Sequence, residues 1–143
     1  MNVIIDYNAG NIASLQYALE KLGAAYKISF DPTEISSDDR VLFPGQGHVG
    51  QAMRNLEERG LVEVIKALKQ PFLGICVGAQ LLFECSEEGN TKALGIIPGM
   101  VKRFPKTLKV PQIGWNQVNG EYFYFVHSYY LPINEFTVAT TDY

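Results

Sequence analysis

Among residues able to attack an electrophile, Cys76 is set apart by its surroundings: PFLGICVGAQLLFE places it after an apolar run and before an apolar, helix-like stretch, with Gly74 and Gly78 flanking it. This spacing predicts the cysteine form of a nucleophile elbow. A sharp strand-to-helix turn holds the nucleophile in a strained conformation, and small flanking residues let neighbouring backbones pass without collision. The sulfur then lies at a helix N-terminus, whose dipole and free N–H groups favour the thiolate, the form that attacks amides. The alternative is an ordinary small buried cysteine. Against it stand the strand before, the helix after, Gln80 one turn on, and a second glycine loop upstream.

That loop is PGQG, Pro44 to Gly47. An attacked carbonyl develops negative charge that needs two N–H donors. The amide of Val77, just after the nucleophile, is one. PGQG follows an apolar strand and, in a parallel sheet, opens on the same edge as the elbow, and its Gly45 and Gly47 permit backbone conformations closed to other residues, so this loop can supply the other. Gln46 lies between two glycines, which suggests a peptide that rotates between donor-in and donor-out states.

These pieces must be positioned by strands and helices, and the first ninety residues alternate short apolar runs with amphipathic segments, the pattern of strand-helix units in a parallel sheet. Strands are expected at Val3–Ile5, Tyr26–Phe30, Val41–Phe43 and Phe72–Ile75. Ile12, Leu15, Ala18, Leu19 and Leu22 recur at helical spacing and stop at Gly23; Met53, Leu56, Leu61, Val64, Ile65 and Leu68 give helical faces broken at Gly60. Cys85 falls in a polar, helix-like stretch. From Gly99 onward β-formers dominate, with strands expected at Tyr122–Val126 and Phe136–Thr141. This reads as an antiparallel addition to the parallel sheet.

The chain has 143 residues, 47% hydrophobic composition and net charge -3. One domain over residues 1–143 is the expectation, with no repeat or linker to divide it. Acids and bases are interspersed, which disfavours nucleic acid as a partner. The N-terminus has no basic leader followed by a long apolar core, and no run reaches the length of a membrane span, so a soluble cytoplasmic protein is expected. Cys76 and Cys85 have no further thiols at metal-ligand spacing, so neither a metal nor a cofactor is expected.

GICVGAQLLFE, with FPGQGHVG upstream and SEEGNTKALGIIPG after it, resembles the class I (triad) glutamine amidotransferases. DYNAGN, VPQIGWN and YFVHSYY resemble, more narrowly, the glutaminase subunits of imidazole glycerol phosphate synthases, and the similarity runs from Met1 to Tyr143. The resemblance implies a flavodoxin-like α/β fold, a mostly parallel sheet flanked by helices with an antiparallel extension in the C-terminal part. It implies a hydrolase step here, in which Cys76 forms a γ-glutamyl thioester with Val77, Gln46 and Gly47 as oxyanion donors. Gln80, Glu88, Gly47, Ser128 and Tyr129 match positions that hold substrate glutamine. Asn11, Trp115 and Asn116 match positions near a subunit interface, where ammonia passes to a (β/α)₈-barrel cyclase, the lyase part of a heterodimer in histidine biosynthesis. For Trp115, an ordinary packed aromatic is the competing role.

A thiol attacking an amide also needs a base. The family's is a His followed closely by Glu in an FHPE-like segment, which this sequence does not contain. Its two histidines, His48 and His127, lie in other motifs and are expected to serve as loop or strand hydrogen-bonding groups. The family pattern continues past TTDY, so the domain is expected to be incomplete at its C-terminus and to turn over little or no glutamine as it stands. The connection at Val118 to Gly120 is shorter than the family's. Two rival functions follow: the glutaminase of another ammonia-dependent synthase, and a binding module that keeps the amidotransferase shell without catalysis.

Overall fold

Val3, Ile4 and Ile5 are all fully buried, which requires a strand covered on both faces. In the computed structural model, which describes residues 1–143, they lie in β1 (Asn2–Ile5). β1 joins β2 (Tyr26–Ser29), β3 (Arg40–Gly45) and β4 (Phe72–Cys76) in an all-parallel sheet of order β2-β1-β3-β4. That order is the flavodoxin-like one, grown from β1 first to one side and then to the other.

Right-handed crossovers on such a sheet place the first helix on one face and the later ones on the opposite face. The packing agrees. Ile4 and Leu42 meet Leu19 of α1 (Ile12–Lys21), while Val3, Ile5, Val41 and Phe43 pack with Met53 and Leu56 of α3 (Val49–Glu58) and Ile65 of α4 (Val62–Ala67). Asn11 caps α1 by accepting from the Ser14 amide, and Gly23 and Gly60, both at positive φ, end the runs where expected. Apolar spacing did not reveal the short helix α2 (Pro32–Ser37), although Asp31 starts it by accepting from the Thr33 and Glu34 amides.

Beyond Cys76 the structure departs from expectation. The helix after the nucleophile is a single turn, α5 (Val77–Gln80), and the chain then enters β5 (Phe83–Ser86), so Cys85 is in a strand and not in a helix-like stretch. The physical reason is burial: Leu81, Phe83 and Ser86 all face packed interior. β5 runs parallel to β7 (Ile97–Arg103) and antiparallel to β6 (Thr91–Lys92), and β10 (Tyr129–Tyr130) closes the other side of β7. The remaining strands, β8 (Gln112–Val118) and β9 (Glu121–His127), pair in a hairpin of their own. Asn119 and Gly120, both at positive φ, make its two-residue turn. The antiparallel part is therefore built as separate small sheets. Phe136–Thr141 is not a strand at all. Its β-formers have no neighbouring strand to pair with, and β propensity has little force without one.

Candidate active site

The elbow exists as a strained turn. Cys76 ends β4 with φ 54° and ψ -117°, a left-handed-side conformation costly for any residue with a Cβ, and its side chain is exposed. The glycines around it are demanded by space. A Cβ on Gly74 would lie 2.8 Å from the Ala79 Cα, and one on Gly45 would lie 2.3 Å from the Gly78 nitrogen. With α5 one turn long, any help to a negative sulfur comes from the local free amides, not from an extended helix dipole.

The upstream loop is where the sequence placed it. Gly45 is the register partner of Cys76 in the β3–β4 ladder, so the loop and the nucleophile emerge side by side at the carboxyl edge of the sheet. Gly47 follows at φ 81°. Val77, in contrast to the exposed sulfur, is buried beneath this junction.

Cys76 opens on a cleft of about 870 Å³ whose lining includes Gln80, Phe104, His127, Tyr129 and Thr141. Of the expected site residues, Cys76, Gln80 and Tyr129 are thus brought together. The Ser128 backbone carbonyl accepts from the Phe104 amide. Glu88 places one carboxylate oxygen on the Val49 amide at 2.7 Å, where it holds the start of α3. Gln46 and Gly47 line a different, smaller hollow of about 280 Å³, shared with Asn8, Gly10, His48 and Asn55. Trp115 is 70% exposed on the hairpin and packs edge-on to Tyr124, while the Asn116 amide donates to the Asp142 carbonyl.

Both histidines are committed to hydrogen bonds, as expected. His48 caps α3, its Nδ1 accepting from the Gly50 amide at 3.0 Å. His127 lies 2.8 Å from the Tyr129 carbonyl through Nδ1 and 2.8 Å from Gln112 Oε1 through Nε2, which ties the base of the hairpin to β10. Neither ring nitrogen of His127 is left over for a thiol.

One residue near the site was not singled out from the sequence. Tyr7 continues the buried alternation of Val3 and Ile5, is fully buried, and donates its hydroxyl to the Pro44 carbonyl at 2.8 Å. Burial first, and then the negative charge of Cys76, push its phenol well above the ordinary tyrosine range, so it stays a donor. The signal that could have found it is a tyrosine placed in phase with the buried face of an all-apolar strand.

Residues 3–137 match the family described as glutamine amidotransferase class-I. The chain is 46% identical over 155 residues to a protein of Bacteroides fragilis (strain YCH46) named imidazole glycerol phosphate synthase subunit HisH, covering 98% of this chain and 79% of that one. It is 44% identical over 154 residues to the protein of that name from Haemophilus influenzae (strain ATCC 51907 / DSM 11121 / KW20 / Rd), covering 98% and 77%. A crystal structure of a glutamine amidotransferase superposes with a TM-score of 0.65 at 18% identity, over 88% of this chain and 70% of that one. This last likeness speaks to the fold alone.

Proposed function

Because this chain belongs to the class I glutamine amidotransferases, we propose thiol chemistry at Cys76 as the work of its cleft: the chain is a glutaminase subunit of imidazole glycerol phosphate synthase, and Cys76 is its nucleophile. The observation that carries the assignment of Cys76 is its exposed, positive-φ turn, paired in register with the glycine loop after β3.

The Cys76 thiolate forms a bond to the γ-amide carbon of glutamine, and the carbonyl pair moves onto oxygen. Amides of Val77 and of the Gln46–Gly47 segment stabilise that oxygen. As the oxyanion collapses and the C–N bond breaks, the leaving nitrogen takes a proton from the conjugate acid of the base and departs as ammonia, leaving a thioester. Water then cleaves the thioester to glutamate and regenerates the thiol. Gln80 and Tyr129, on the cleft wall beside Cys76, are the residues this reading assigns to the amino-acid end of the substrate, together with Ser128 next in chain to Tyr129 and with Glu88.

Neither histidine is read as the base: both ring nitrogens of His127 are hydrogen-bonded and His48 caps α3 through Nδ1, which supports that reading. Attack by Cys76 is therefore separable from full turnover: these 143 residues should react with a glutamine-mimicking diazoketone yet hydrolyse glutamine slowly. Ammonia is delivered to a (β/α)₈-barrel cyclase in a cytoplasmic heterodimer, with Asn11, Trp115 and Asn116 on the docking side, and the pair together carries lyase activity.

Mass spectrometry after diazoketone treatment tests the reading. A single adduct on Cys76, blocked by glutamine, is expected. Absence of that adduct while iodoacetamide still modifies Cys76 would favour the non-catalytic shell and overturn the assignment.

A further inference from the structure

The segment between β3 and α3 is held firmly at both ends. At its start the Tyr7 hydroxyl holds the Pro44 carbonyl, and Gly10 approaches so closely that a Cβ there would stand 3.1 Å from the Pro44 backbone. Gly45 is wedged against the Val77–Gly78 peptide, with the Tyr7 oxygen 2.9 Å from where its Cβ would be. At the far end Glu88 takes the Val49 amide and His48 takes that of Gly50. Between these anchors Gln46 is exposed, and Gly47 has nothing within 4 Å of a Cβ position. Gln46 and Gly47 are thus the part of the segment without such an anchor.

We propose that Tyr7 is a positioning residue for the oxyanion loop: by holding the Pro44 carbonyl from beneath, its hydroxyl fixes the start of the loop and confines any change in donor direction to Gln46 and Gly47. The inference rests on the glutaminase reading. A phenylalanine would fill the same space between β1 and Phe43, whose ring centroid lies 5.1 Å from that of Tyr7, so packing alone does not call for the oxygen. A hydroxyl buried this deeply costs free energy unless it is paired, and its partner here is the first carbonyl of the loop. Protonation of the phenol is secured by its surroundings, so the tether holds throughout the pH range in which a thiolate attacks.

The test is Tyr7→Phe in the full chain, using two reagents on the same sample. A chloroketone analogue of glutamine places negative charge on its carbonyl oxygen as Cys76 attacks and then loses chloride. Iodoacetamide is displaced at a saturated carbon and needs no oxyanion donor. The expected result is a limiting rate of chloroketone inactivation about tenfold to a hundredfold lower, less than the loss on deleting a donor itself. The chloroketone concentration for half-maximal rate should stay within about twofold, and the iodoacetamide rate should not change. An unchanged chloroketone rate overturns the proposal. So does an equal slowing of both reagents with a lowered melting temperature, which makes Tyr7 a packing residue only. If the unsubstituted chain reacts with iodoacetamide and never with the chloroketone, the glutaminase reading itself fails, a distinct outcome.

Discussion

A methyl group on Gly78 would stand 1.9 Å from the carbonyl oxygen of Phe43, so the elbow and β3 meet backbone to backbone. No side-chain adjustment relieves a clash with a carbonyl in the middle of a ladder.

Gly78→Ala should therefore cost about 3 kcal/mol or more in urea unfolding and abolish diazoketone labelling of Cys76. Gly23 makes the comparison, since it has φ 64° and open space around its Cβ position. Gly23→Ala should cost only about 1 kcal/mol, the strain of the conformation alone, and leave labelling intact.

Cys76 itself holds a strained backbone. Removing the sulfur ends labelling in any variant, but stability separates two of them. Cys76→Gly relieves a strain of about 1–3 kcal/mol, partly offset by the greater freedom of glycine in the unfolded chain. It should melt above Cys76→Ala, which keeps the Cβ; equal melting temperatures would mean that the turn carries no strain.

Tyr7 gives a pH dependence of defined sign. Its folded pKa is raised, first by burial and then by Cys76, so the protonated phenol is favoured in the folded state. The associated stability is complete below the unfolded value of about 10 and is lost as pH rises above it. The stability advantage of the unsubstituted chain over Tyr7→Phe should thus shrink above pH 10, measured by urea unfolding across the alkaline range.

The histidines should behave as structural groups. His48→Ala removes an N-cap and should cost about 1 kcal/mol. His127→Ala breaks the link from the hairpin to β10 and should cost about 1–3 kcal/mol. In both, the pH profile of Cys76 labelling should keep its shape, whereas loss of the base would change it.

Trp115 is the only tryptophan and is largely exposed, so under the proposed docking role its fluorescence serves as the probe of association. Addition of the barrel cyclase should shift its emission to shorter wavelength. Trp115→Ala should weaken association by about 2 kcal/mol with little change in melting temperature.

The sequence carried more of the parallel half than of the rest, for a physical reason. Strands such as Val3–Ile5, buried on both faces, and helices such as Ile12–Lys21, capped at Asn11 and stopped at Gly23, announce themselves locally. The elbow was legible because tight approach admits only glycine, and the spacing of Gly74 and Gly78 records it. Phe83–Ser86 and Phe136–Thr141 were misread because their state is set by a partner strand distant in sequence, present for the first and missing for the second. Tyr7 was overlooked because a tether through a backbone carbonyl leaves no motif: Pro44 would look the same without it.

β4 pairs with β3 alone and borders its sheet, so Cys76 is held through a one-sided ladder of five residue pairs that ends at Gly45. On the proposed reading, attacker and oxygen cradle are therefore the two prongs of one fork. A displacement shared by β3 and β4 would leave the distance between the sulfur and Gly45 unchanged, whereas a slip of one strand against the other would alter it.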